Sequence, residues 1–261
     1  MSTPASTGTP ALETRGLMKS FGAVTAAHDI TVSVPERAVW SLIGTNGAGK
    51  TTFINMVTGY LHPDEGTILF QGQDITKLGP RAVTRAGICR SFQIPHLCSE
   101  LTVLENVLVA LAIADPKPPS FFRKARESAA EDRAMEILKR FRIEEHRGRL
   151  MSELSAGVRK LLDIAMSMCG HPKVMLLDEP TSGVAAEEKF PIMDLVMEAL
   201  AAENVTTLFV EHDMDIVTRY SDRVLAFYDG RIIADDAPDE VLSDPQVQRY
   251  VTGTAPAEAS S

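Results

Sequence analysis

Nine consecutive residues, Gly44-Thr45-Asn46-Gly47-Ala48-Gly49-Lys50-Thr51-Thr52, follow the pattern G-x-x-x-x-G-K-[ST]. A segment of this kind holds phosphate. Its glycines let successive backbone N–H groups turn inward around an anion. The lysine reaches the β- and γ-phosphates of a nucleotide and the next hydroxyl ligates Mg²⁺, roles that fall to Lys50 and Thr51. The pattern requires a strand before it and a helix after it. Leu42-Ile43 closes an apolar run and Phe53-Ile54-Asn55-Met56-Val57 opens a helical one, so both conditions are met. The N-terminus of that helix adds a favourable dipole.

Farther along, Val174-Met175-Leu176-Leu177-Asp178-Glu179 is an apolar strand ending in two carboxylates. A strand edge running into a polar turn would look the same, but Lys50 makes a second reading the stronger one. A parallel strand beside the phosphate-loop strand delivers Asp178 to the Mg²⁺ shell. Glu179, one residue on, then faces the attacking water as general base or water-orienting group.

The elements that must position these groups are legible in outline. Short β-rich apolar runs alternate with helical stretches, the pattern of an α/β domain with a mainly parallel sheet. Strands are expected at Ala38–Ile43, Val174–Leu177, Thr206–Val210 and Arg223–Tyr228. Thr102-Val103-Leu104-Glu105 has capping-box spacing ahead of an apolar run, so a helix begins there. From Arg123 to Arg142 the chain is charged, with Ala134, Ile137, Leu138 and Phe141 at helical spacing and Glu136 four residues before Arg140. Between these helices, Ala114-Asp115-Pro116-Lys117-Pro118-Pro119-Ser120 carries prolines that forbid helix. Residues from about 95 to 155 therefore form an expected helical subdomain inserted in the α/β core. The Ser/Thr/Pro-rich residues 1–10 and the tail 252–261 are expected to be loose.

Composition excludes several classes. At 261 residues and 44% hydrophobic content the chain supports one substantial core, with no room for two complete domains of this kind. Its longest apolar run, Val107 to Ala114, falls short of the roughly 20 residues that cross a bilayer. The first ten residues lack the basic start and apolar stretch of a secretory signal. Cys89, Cys98 and Cys169 are odd in number and lack metal-ligand spacing, which suits a reducing compartment. With 26 Lys and Arg against 35 Asp and Glu, the formal charge of −9 leaves no basic footprint for nucleic acid.

Five more segments fall in a fixed order around the phosphate loop. They are Phe21 in Ser20-Phe21-Gly22, then Ser91-Phe92-Gln93, Leu154-Ser155-Ala156-Gly157-Val158, Thr181-Ser182-Gly183-Val184-Ala185 and Val210-Glu211-His212-Asp213-Met214. On these motifs residues 11–251 resemble the ATP-binding-cassette family. The resemblance implies a P-loop NTPase core with a mainly parallel sheet, an N-terminal antiparallel β part and an inserted α-helical subdomain. It implies an ATPase that uses ATP with Mg²⁺.

Residue by residue, Phe21 corresponds to the aromatic that stacks on adenine, and Gln93 to the glutamine that senses Mg²⁺ and the attacking water. His212 corresponds to the histidine bonded to the γ-phosphate. Leu154-Ser155-Ala156-Gly157-Val158 resembles the Leu-Ser-Gly-Gly-Gln signature, with Ala156 in place of a glycine and Val158 in place of the glutamine. The segment at Thr181 lacks the usual aspartate or asparagine.

Ser155 and Gly157 open the helical run Arg159–Met168, a second N-terminal anion site. One γ-phosphate does not easily use two such sites from a single chain. The family's arrangement is a head-to-tail sandwich in which each signature closes over the nucleotide of the other subunit.

Arg90-Ser91-Phe92-Gln93, Leu101 to Val107, Val210 to Met214 and Asp239 to Pro245 are together similar to the ATPases of branched-chain and hydrophobic amino-acid importers. That likeness implies transmembrane permease subunits, a second ATPase subunit, identical or different, and indirectly a periplasmic solute-binding protein. It also implies a peripheral place on the cytoplasmic face of the inner membrane. A lipopolysaccharide-export ATPase would share the same motifs and is the alternative inside the class. A soluble cassette protein acting on the ribosome or DNA is the alternative outside it.

Overall fold

The computed structural model describes residues 8–91, 98–114 and 124–253, side chains at 124–128 excepted. The proline-rich 115–123, most of residues 1–10 and 254–261 of the tail lie outside the described residues. Two compact units divide the chain after Val83 and after Val205, and the first takes both ends.

The first unit contains β1 (Leu12–Phe21), β2 (Val24–Val34), β3 (Val39–Gly44), α1 (Lys50–Val57), β4 (Glu65–Phe70) and β5 (Gln73–Asp74), and the boundary after Val83 falls within α2 (Pro80–Ala86). Strands β2-β1-β4-β5 form an antiparallel sheet in that order. The strand alternates: Leu12, Thr14 and Leu17 are buried and Arg15 is exposed, as a sheet with one covered face requires. At the tip, Phe21 pairs with Val24 across Gly22, whose φ of 61° makes the tight reversal.

β3 reads differently because it is inside. Every residue from Trp40 to Gly44 is buried, the near-continuous apolar pattern of a parallel strand covered on both faces. Its two edges are taken in parallel by Thr206–Val210 and Arg223–Tyr228 of the same unit. The strand carrying Asp178 is therefore not its neighbour, against the expectation from sequence. The spacing of apolar runs says nothing of strand order, and Thr206–Val210 occupies that edge.

The second unit contains β6 (Ile88–Ser91), α3 (Val103–Ala114), α4 (Lys124–Arg140), α5 (Ala156–Met168), β7 (Val174–Asp178) and α6 (Ala186–Ala202). The expected capping box opens α3. The Thr102 hydroxyl accepts from the Glu105 N–H at 3.3 Å, and the Glu105 carboxylate accepts from the Thr102 N–H at 2.8 Å. That backbone bond, and then the bond from the Thr102 hydroxyl, holds the Glu105 carboxyl below its ordinary range. Ala134, Leu138 and Phe141 form the buried stripe of α4 and its end. Arg140 forms an ion pair with Glu203. β6 and β7 run parallel, Arg90 beside Leu176 and Ser91 beside Leu177.

The chain then returns to the first unit with β8 (Thr206–Val210), α7 (Met214–Tyr220), β9 (Arg223–Tyr228), β10 (Arg231–Asp236) and α8 (Pro238–Ser243). Tyr228 and Tyr250 stack with ring centres 4.6 Å apart, tying the last described turn to β9.

Cys89 and Cys169 are buried, and burial pushes their thiols up to about 11 and about 12. Cys98 is exposed. Since the thiolate is the reactive form, an alkylating reagent at pH 8 is expected to label Cys98 alone in the native protein and all three cysteines after unfolding. Mass spectrometry of the labelled peptides checks this, and native labelling of Cys89 or Cys169 would contradict it.

Candidate functional site

The phosphate loop runs from the end of β3 into α1, as its sequence pattern demands. Thr45, Asn46 and Gly47 are exposed, while Gly44, Ala48, Gly49 and Lys50 are buried. Gly49 caps α1 with φ 108°, and a Cβ there would sit 2.7 Å from the Ala26 carbonyl oxygen of β2. Only glycine meets both demands. The other side of the loop is held by the reversal between β9 and β10. Asp229 and Gly230 both have positive φ, and the Gly230 N–H donates to the Ala48 carbonyl at 3.0 Å. Phe53, on the buried face of α1, packs against Phe227 of β9 with ring centres 5.7 Å apart. These contacts aim the first turn of α1, whose N–H groups and positive dipole end suit an anion.

Lys50 is 7% exposed. Its ammonium donates to the Gly44 carbonyl at 2.5 Å and the Thr45 carbonyl at 3.0 Å, which pins its head to the concave side of the loop. Thr51, beside it, is exposed, and Thr52 is half-buried.

Two more expected residues belong to this unit. Phe21 stands 51% exposed at the tip of the β1–β2 hairpin, with the Lys19 ammonium 5.8 Å from its ring centre. An aromatic face presented in this way can stack on a planar base. His212 is exposed in the turn between β8 and α7, and its backbone N–H donates to the buried carboxylate of Glu211 at 3.2 Å. Asp213 caps α7 by accepting from the Asp215 N–H.

In the second unit Asp178 ends β7 and Glu179 follows with φ 48°. A left-handed backbone is uncommon in a residue other than glycine and concentrates at functional sites. The turn is closed by the Ser182 N–H donating to the Glu179 carbonyl at 3.1 Å. Asp178 is engaged by two cations that sequence reasoning did not single out. Arg90 donates from Nη2 to Oδ2 at 2.5 Å, and Lys160, buried on α5, donates to the main-chain carbonyl at 3.3 Å. The arginine lies in the Arg90-Ser91-Phe92-Gln93 run, but no spacing rule pairs it with a residue 88 positions away.

The signature residues open α5 earlier than expected. The helix begins at Ala156, because Ser155 is its N-cap and its hydroxyl accepts from the Val158 N–H at 3.3 Å. Val158 supplies that donor from its backbone, so the loss of the glutamine side chain leaves the cap intact. Gly157 packs closely: a Cβ there would lie 2.6 Å from Ile192 Cδ1 on α6. Gln93 lies outside the described residues.

Thr51 in the first unit offers a hydroxyl and Asp178 in the second a carboxylate, each a hard oxygen donor of the kind Mg²⁺ takes.

The family profile described as "ABC transporter" matches residues 27–182. The high-affinity branched-chain amino acid transport ATP-binding protein LivG of Escherichia coli (strain K12) is 37% identical over 254 residues, 94% of this chain and 99% of the relative. The probable LivG of Methanocaldococcus jannaschii is 36% identical over 250 residues, 93% of this chain and 97% of the relative. Among solved structures, the ADP conformation of MJ1267, an ATP-binding cassette of an ABC transporter, superposes with a TM-score of 0.81 at 35% identity, covering 92% of this chain and 97% of that one. With its phosphate loop and parallel-stranded P-loop NTPase fold, this chain belongs to the ABC transporter family, as one of its ATPase cassettes.

Proposed function

We propose that the chain hydrolyses ATP to power uptake of branched-chain or other hydrophobic amino acids, working as a pair with a second cassette on transmembrane permease subunits at the cytoplasmic face of the membrane. The observation that carries the solute class is the likeness, across nearly the whole chain, to cassettes named for branched-chain amino acid transport. Among the described residues no helix is long and apolar enough to cross a membrane.

In this reading the loop Gly44 to Thr52 and Lys50 hold the β- and γ-phosphates, and Phe21 stacks on adenine. Thr51 and Asp178, with Gln93, are the groups that hold Mg²⁺. Held there, Mg²⁺ would supply positive charge to offset the charge that develops on the phosphate oxygens. Glu179 takes the proton of the attacking water and His212 bonds to the γ-phosphate. Ser155 and Gly157 serve the nucleotide of the second cassette. The N-capped start of α5 supports this role, being an anion-favouring helix terminus beyond the one that follows Lys50. A periplasmic binding protein delivers the solute.

Reconstitution tests the whole reading. The chain is purified with its permeases and second cassette and placed in liposomes with the binding protein. ATP-dependent accumulation of radiolabelled leucine is expected, and Lys50→Ala is expected to abolish it. An assembly that hydrolyses ATP yet accumulates no hydrophobic amino acid would overturn the solute class. Extraction of lipopolysaccharide by such an assembly would install the export alternative.

A further inference from the structure

We infer that Arg90 is a positioning residue for the metal-binding carboxylate, holding Asp178 aimed so that Mg²⁺ with ATP binds tightly. The inference rests on the reading of Asp178 as a Mg²⁺ ligand and adds a residue to it.

The geometry follows from strand register. Arg90 lies beside Leu176 in the parallel pairing of β6 with β7. Side chains alternate along a strand, so Leu176 and Asp178 lie on one face of β7, and Arg90 shares that face as the diagonal neighbour of Asp178. Its guanidinium spans the diagonal and donates to Oδ2 at 2.5 Å. The side chains of Arg90 and Asp178 are only 9% and 15% exposed. At that depth little water solvates either group, and each takes the other as its partner.

A planar, permanently charged guanidinium also fixes direction, which a lysine ammonium on a flexible stem does less well. Lys160 completes the grip from α5 by donating to the Asp178 carbonyl, so both the carboxylate and the backbone of this residue are held. Partners that hydrogen-bond to a metal-ligating carboxylate orient it, and their removal typically weakens metal binding about 10- to 100-fold. The guanidinium also places a positive charge near the bound cation. Orientation outweighs that repulsion here, because without Arg90 the carboxylate loses the partner that aims it and turns elsewhere.

The test uses Mn²⁺ as a paramagnetic stand-in for Mg²⁺, in the full-length chain carrying Glu179→Gln so that ATP persists. Free Mn²⁺ is followed by electron paramagnetic resonance at saturating ATP. Arg90→Gln is expected to raise the Mn²⁺ dissociation constant about tenfold or more. Arg90→Lys is expected to give a smaller rise. ATP binding in EDTA is expected to stay near that of the parent in both variants, and the thermal midpoint in EDTA to fall for Arg90→Gln but to stay near the parent for Arg90→Lys, so that a Mn²⁺ loss in Arg90→Lys is one a merely structural role would not predict.

Asp178→Asn is measured alongside. If it leaves Mn²⁺ affinity unchanged, Asp178 is no ligand and the reading beneath the inference fails with it. If Asp178→Asn weakens Mn²⁺ but neither Arg90 variant does, or an Arg90 variant binds Mn²⁺ more tightly, the positioning role alone is overturned. Should Arg90→Gln not fold, Arg90→Lys carries the same decision. The double variant Arg90→Gln/Asp178→Asn is expected to lose no more affinity than Asp178→Asn, because both changes remove one unit; additive losses would also overturn the role.

Discussion

Glu179→Gln is expected to bind ATP as well as the parent and to hydrolyse it about 10² to 10⁴ times more slowly, the usual contribution of a positioned general base. The change is nearly isosteric. Glutamine keeps the length and one acceptor oxygen but cannot take the proton of the attacking water at neutral pH. The backbone demands nothing that glutamine lacks: the φ of 48° is no more strained for glutamine than for glutamate, and the Ser182 N–H that closes the turn meets the main-chain carbonyl. Folding and nucleotide affinity are therefore expected to survive while turnover falls. If the sandwich forms, bound ATP accumulates across the dimer interface, so the variant with ATP and its partners is expected to elute at the mass of a paired assembly. Parental turnover in Glu179→Gln would remove the residue from the chemistry. A strictly monomeric species, alone and with partners, would remove the sandwich.

Lys50→Ala is expected to act one step earlier, on binding. Hydrogen bonds to charged groups contribute roughly 1.5 to 3 kcal/mol each, and a lysine reaching the β- and γ-phosphates makes about two of them. At 1.4 kcal/mol per tenfold, ATP affinity is expected to fall on the order of 10²- to 10⁴-fold. The variant also loses the two bonds from the ammonium to the Gly44 and Thr45 carbonyls, so the loop itself loosens. Fluorescent-nucleotide titration separates the two variants: Glu179→Gln retains binding and Lys50→Ala does not. Tight binding by Lys50→Ala would show that backbone N–H groups and the end of α1 alone hold the phosphates.

Much of the local structure was legible because it rests on local rules. The strands Thr206–Val210 and Arg223–Tyr228 form with the expected bounds, and β7 extends one residue past Leu177 to include Asp178. The capping box at Thr102 and Glu105 forms as its spacing demands. Helix α5 begins three residues before the expected Arg159, because the hydroxyl of Ser155 caps the helix at its own N-terminus.

The phosphate loop, the paired carboxylates and the family were determined by sequence alone, since each depends on residue types at short, fixed separations in one strand–loop–helix or strand–turn segment. Strand order was not, because pairing joins residues far apart and every buried parallel strand reads alike. Only the folded chain put β8 and β9 on the two edges of β3, and the Gly230 N–H behind Ala48. It alone brought Arg90 and Lys160 to Asp178, across 88 and 18 residues. Burying a carboxylate with little water requires a partner from wherever the fold can supply one, and no rule of spacing names that partner in advance.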